Sequence, residues 1–182
     1  MLAISLMTVS FLMGSVAGYF ISPTYQQTMF VKEEMGLGKA DRFVDLRYMQ
    51  QMIAHHKSAI LLADQVADAS HREELRTLGN EIKTNEPKLI GELYDLKKKL
   101  YNDGRKIADP TVVQLGKVNN TFDLRFLNAL IAHHEEGIQM TKEIKSKSSN
   151  PIIIDNADAV ENFLTTTLPT LKNYRAQWFN VQ

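Results

Sequence analysis

The chain of 182 residues contains no cysteine. Disulfides, thiolate metal sites and cysteine nucleophiles are thereby excluded together, and a metal centre must draw on His, Met, Asp or Glu. The chain also lacks net charge, because 21 Lys and Arg balance 21 Asp and Glu. No global field draws it to nucleic acid, which is not an expected partner. No segments alternate as paired strands do, and Ile152-Ile153-Ile154 is short and follows a helix-start signal. No phosphate loop, nucleophile-base pairing or cofactor fingerprint is visible, so an enzyme is not expected. The run Lys97-Lys98-Lys99 reads as a solvated helix end.

Charge is missing locally as well. Residues 1–21 carry none, and a span of about 20 apolar residues crosses a bilayer as a helix. Ser15-Val16-Ala17 offers a signal-peptide cleavage site, but the basic leader that such peptides carry is absent. The reading is an uncleaved transmembrane anchor over 1–21, with Tyr19 and Tyr25 near the interface. Residues 22–40, with Pro23, Gly36 and Gly38, read as a stalk, and 41–182 as the folded body. Lys32, Lys39 and Arg42 follow the apolar span, which by the positive-inside rule alone puts the body in the cytoplasm.

What is present is a repeat. Asp45-Leu-Arg-Tyr-Met-Gln-Gln-Met-Ile-Ala-His55-His56 returns as Asp123-Leu-Arg-Phe-Leu-Asn-Ala-Leu-Ile-Ala-His133-His134. Four of the five histidines lie in these copies. Asp41 is a good N-cap for a first helix to about Ala69, and Ser70-His71-Arg72-Glu73 has the form of a capping box for a second. Leu75, Leu78, Ile82, Leu89 and Leu93 keep helical spacing on that second helix, Pro87 should kink it, and Asn102-Asp103-Gly104 ends it. A linker with a short helical turn near Val112–Lys117 leads to a third helix, capped by Asn120 or Thr121 and running to about Ser146. Pro151 opens a fourth, to about Phe179, with Pro169 inside it in the place of Pro87. The expected fold is all-α: two repeated helix hairpins, 41–102 and 121–180, packed as a four-helix bundle.

At 100° per residue Asp45, Met49, Met52 and His56 fall on one stripe, as do Asp123, Leu127, Leu130 and His134. His56 and His134 are expected to point inward. His55 and His133 lie about 100° away, at the edge of the buried face beside Tyr48 and Phe126. Asp45 and His56 are roughly 16 Å apart along the axis and cannot share an ion, whereas Met52 and His56 are one turn apart. Candidate ligands are therefore His55, His56, His133 and His134 with Met52 and Met49. Imidazole with thioether suits copper, Cu(I) above all. The Glu-x-x-His of di-iron bundles is missing, since Met52 and Leu130 precede His55 and His133 by three. The competing reading is a structural or interaction bundle whose histidines are core hydrogen-bonders and whose methionines are core filler. The aspartates then serve the helix N-termini, Glu135 and Glu136 form exposed helix surface, and His71 lies outside the repeat, at the surface.

Met52-Ile53-Ala54-His55-His56-Lys57-Ser58-Ala59-Ile60, with Ala63 beyond, resembles the core of the DUF305 family. Leu130-Ile131-Ala132-His133-His134-Glu135-Glu136-Gly137-Ile138-Gln139-Met140 resembles it again. The resemblance covers roughly residues 41–180. It implies a ferritin-like helical bundle, secreted or membrane-anchored with its body outside the membrane, and some members are linked to copper binding and resistance. On orientation the reading follows the resemblance. Met52 matches the family's leading Met and Met140 its trailing one, which adds Met140 to the candidate ligands. The sequence departs from the family at Leu62 and Leu130. It departs again on the second helix of each hairpin, where Lys88 and Thr170 replace the family's acidic residue. The expected function is a membrane-anchored, non-catalytic metal-binding bundle, for copper, acting in buffering, delivery or resistance.

Overall fold

The computed structural model describes residues 36–181. The expected anchor, residues 1–21, and most of the stalk lie outside them. Four helices follow in order: α1 (Val44–Val66), α2 (Glu73–Tyr101), α3 (Phe122–Lys147) and α4 (Pro151–Phe179). Among the described residues there is no strand, and no helix is long and apolar enough to cross a membrane.

α1 packs on α2 and α3 on α4, and the two hairpins meet chiefly through α1 and α3. These two central helices are antiparallel. The Leu37 N–H donates to Glu143 Oε1 (2.9 Å) at one end, and Ser70 Oγ donates to Asp123 Oδ1 (2.8 Å) at the other. The linker must therefore travel the length of α1, and it does so without forming the expected turn near 112–117. Lys57 Nζ donates to the Ile107 carbonyl (2.7 Å). Gln65 donates to the Val113 carbonyl (3.0 Å) and accepts from the Leu115 N–H (2.8 Å). Such bonds pin an extended segment whose own backbone groups have no helix to serve. At its start Asp103 accepts from Arg105 and pairs with Lys97, whose ammonium also donates to the Arg105 carbonyl (2.7 Å). Lys97 is fully buried, unlike the exposed Lys98 and Lys99, so the expected solvated run loses its first member to the linker.

The repeat begins before residue 41. Leu37-Gly38-Lys39 returns as Leu115-Gly116-Lys117. Arg47 Nε donates to the Leu37 carbonyl (2.7 Å) just as Arg125 Nε does to Leu115 (2.6 Å). Gly38 (φ 68°) and Gly116 (φ 72°) turn each leucine back into the bundle through left-handed backbone, which glycine adopts without steric cost. Both leucines are buried. The last residues assigned to the stalk thus belong to the packed body.

Helix ends follow local chemistry with two exceptions. Asn150 Oδ1 accepts from the Ile152 N–H ahead of Pro151, and Asn102 and Asn180 end α2 and α4 in left-handed conformation. Ser70 does not close the expected capping box. Its hydroxyl is spent on Asp123 across the hairpins, and α2 begins at Glu73 after an extended Arg72. Asp41 accepts from the Phe43 N–H, one turn ahead of α1. Pro87 and Pro169 lie on exposed faces inside helices that continue past them, and they are not equivalent. The helix starts (Glu73, Pro151), the asparagine caps and the buried pairs Leu75/Ile153 and Leu93/Leu171 align Pro169 with Gly91, one turn beyond Pro87.

Two apolar clusters fill the bundle. One holds Leu62, Val66, Phe122, Phe126 and Leu130, and the other Leu37, Tyr48, Met49, Met52, Met140 and Ile144. Each takes one end of α1 and the opposite end of α3, and the histidines lie between them. Leu37→Ala and Leu115→Ala are each expected to lower the unfolding free energy by about 2–5 kcal/mol in urea denaturation, as buried leucine truncations do.

Candidate metal centre

α1 is flanked on different sides by α2, α3 and the linker, so it buries an arc rather than a stripe, and the same holds for α3. All four repeated histidines are buried in consequence, at 4–7% exposure. The pairs divide in the opposite sense to that expected. His55 and His133, placed by helical spacing at the edge, occupy the centre. Their rings stack at a centroid distance of 3.7 Å and an interplanar angle of 14°. His56 and His134 turn away, each toward the outer helix of its own hairpin. The reason is antiparallel packing about the midpoints of α1 and α3. The stripe through Tyr48 and His55 meets the stripe through Phe126 and His133, while the Met52/His56 stripe faces α2. His71 is exposed, as expected.

α3 makes room for the stack with a glycine. A Cβ on Gly137 would lie 2.7 Å from His55 Nε2 and 2.5 Å from Leu164 Cδ1. In α1 the matching residue is Ala59.

Hydrogen bonds assign the ring tautomers. His133 Nε2–H donates to the His55 carbonyl (3.0 Å), which leaves Nδ1 as a buried lone pair without a partner. His134 Nδ1–H donates to the Leu130 carbonyl (2.9 Å), so Nε2 is the acceptor and faces Thr167 Oγ1 at 3.0 Å. His56 Nδ1–H donates to the carboxylate of Glu86. Neither nitrogen of His55 has a partner, although both are buried. Burial disfavours the imidazolium and holds His55 well below its ordinary value, with His133 adding to the effect. Burial lowers His133 to about 3, and lowers His134 as well. The central rings are therefore neutral, the state in which imidazole binds metal.

Glu86 is a site residue that the motif comparison missed. It lies two residues before the position where Lys88 replaces the family's acid. Its signal lay in the helical wheel: with Ile82, Leu89 and Leu93 it shares one stripe, so it is an acid in an apolar row. Its counterpart in α4 is Leu164. Glu136, expected on the surface, is half-buried. Its Oε2 has no partner, and burial first, then Glu135, pushes its carboxyl up to about 8. Glu135 itself is exposed and pairs with Lys172 (2.6 Å). Asp123 is spent on Ser70 and Arg72 at the end of the bundle. Met49, Met52 and Met140 lie together in one apolar cluster, and Leu127, Leu130 and Leu62 hold the equivalent places in the other.

Among the described residues no three His, Asp or Glu side chains are grouped as a metal cage. Stacked rings direct their in-plane lone pairs along separate planes, so a shared ion requires at least one ring to turn. The donor types nonetheless fit a soft monovalent ion. Three ring nitrogens, two on His55 and one on His133, are buried without partners, so each ring offers one free lone pair, and thioethers occupy the adjoining cluster.

Comparison with known proteins agrees with the fold. Residues 45–121 match the family described as domain of unknown function (DUF305). No curated protein matches the chain. Among solved structures, CopM in the Cu(I)-bound form is similar at a TM-score of 0.66 and 20% identity, covering 74% of this chain and 97% of that one. CopM in a silver-bound form gives 0.66 and 19% over 74% and 97%, and in the apo form 0.66 and 21% over 74% and 98%.

Two outcomes follow for the metal-free chain. Gly137→Ala is expected to lower stability in urea, because overpacking costs about 1–3 kcal/mol against a helix-propensity gain of about 1 kcal/mol. Acid should also unfold it. Folded His133 stays neutral down to about pH 3, while the unfolded imidazole takes up its proton near 6.5. Stability is complete above 6.5 and falls by about 1.4 kcal/mol per pH unit below it for each such ring, as a pH series of unfolding midpoints would record.

Proposed function

We propose that this chain is a membrane-anchored copper-binding protein, with its bundle on the extracytoplasmic side, that acts without catalysis in copper buffering, delivery or resistance. One observation carries the reading. Both nitrogens of His55 and Nδ1 of His133 are buried without a hydrogen bond, beside a cluster holding three methionines. Each such orphan costs about 1–3 kcal/mol, and coordination through one nitrogen of His55 and Nδ1 of His133 offsets two of the three. Neutral imidazole and thioether without thiolate favour Cu(I) over harder ions. The fold shared with CopM, whose structures are described as copper- and silver-bound, supports the same ion class. The proposed ligands are His55, His56, His133 and His134 with Met49, Met52 and Met140. Membrane attachment rests on the uncharged residues 1–21. The extracytoplasmic placement rests on the DUF305 resemblance.

A metal-free structural bundle is the second reading, favoured by the packing of the methionines as core and by the hydrogen bonds of His56 and His134. Anaerobic titration of the full-length chain with Cu(I) separates the two. Ligand at a hundred times Kd stabilises by about 2.7 kcal/mol, which raises the melting temperature by several degrees. The combined variant His55→Ala and His133→Ala, which removes the orphaned nitrogens, should lose most of that rise. An unchanged copper affinity in this variant, or no rise in the parent chain, refutes the copper reading.

A further inference from the structure

The two halves are built alike in backbone and unlike at the centre. His56 donates from Nδ1 to a carboxylate, so its remaining lone pair, on Nε2, is the one it can offer to a ligand. His134 donates from Nδ1 to its own helix, and its Nε2 already faces the Thr167 hydroxyl. Glu86 has no equivalent in the second half: the residue in its place in α4 is Leu164, an apolar side chain that cannot accept a proton. The thioethers are one-sided too. Among the described residues the buried methionines, Met49 and Met52 from the first hairpin and Met140 from the second, lie in the cluster at one end of the bundle, and leucines fill the matching places at the other.

We propose that Glu86 is a positioning residue that fixes the Nδ1–H tautomer of His56 and so presents its Nε2 lone pair to a soft monovalent ion, which makes His56 and His134 unequal members of one lopsided centre. This rests on the copper reading above. The physical basis is that a carboxylate accepting from one imidazole nitrogen orients the ring, fixes which nitrogen keeps its lone pair, and raises that nitrogen's basicity. The carboxylate reaches His56 from α2 at Nδ1 and so holds the ring without touching Nε2. Thr167 does the reverse for His134, since its hydroxyl sits at the one nitrogen with a free lone pair.

Two measurements on the full-length chain test this. In the metal-free protein, long-range nitrogen-proton NMR of the imidazoles should show His56 as the Nδ1–H tautomer, shifting toward Nε2–H in Glu86→Ala and largely restored in Glu86→Gln, which keeps an acceptor. In competition titration with a chromophoric Cu(I) chelator, Glu86→Ala should weaken binding about 10–100-fold, as loss of such a partner does elsewhere, and Thr167→Ala by less than about threefold. Circular dichroism and melting curves confirm that each variant is folded. An Nε2–H tautomer of His56 in the parent chain overturns the proposal, as does a Glu86→Ala variant that binds as the parent does, or equal losses in the two variants. If the parent chain does not bind Cu(I) at all, the copper reading fails instead, and the tautomer measurement still decides the role of Glu86.

Discussion

Two imidazole rings lie face to face, 3.7 Å apart, where α1 crosses α3. Several other features answer to that contact. The rings come from the midpoints of their helices, the one height at which equivalent residues of antiparallel helices come level. An antiparallel arrangement of two sequential hairpins obliges the chain to return the length of α1 before α3 begins. The ring of His55 sits so close to α3 that residue 137 has no space for a β-carbon. Two rings at that distance, removed from water, cannot both be charged. Position, connectivity, a glycine and a protonation state are thus linked by one contact.

Much of the architecture was legible in the sequence because it is locally encoded. The four helices, the Asn150-Pro151 start and the Asn102 stop depend on residues within a turn of each boundary. The duplicated His-His string marked the residues that gather at the centre. What misled was treating each helix as having one inner face. Helical spacing ranked His56 and His134 above His55 and His133, but a helix packed on α2, α3 and a linker has more than one inner face. The wheel has no means of choosing between them. Glu86 was hidden for a different reason. The motif marks only the positions where a family keeps an acid, whereas a carboxylate two residues away on the same helix reaches a different point in space. Lys97, in a run of three lysines, became buried only because the linker brought Asp103 and the Arg105 carbonyl to it.

The methionines show how composition can differ where geometry does not. The two apolar clusters match at ten of their eleven positions, yet one is rich in thioether and the other in leucine. Leucine and methionine have similar volume, so the core tolerates either with little change in packing. Their chemistry differs far more than their shape. A bundle of this kind can therefore acquire or lose soft donors beside its histidines without disturbing the helices that hold them.

The linker has a consequence beyond connectivity. Two identical hairpins meeting through α1 and α3 would form an ordinary symmetric dimer, in which any substitution appears on both sides of the axis at once. Joining the halves into one polypeptide, with residues 102–121 tied down along α1, removes that coupling. Position 86 can be an acid while position 164 is a leucine, and position 52 can be methionine while position 130 is not. An unequal centre on an axis of near symmetry is open only to a chain that carries both halves itself.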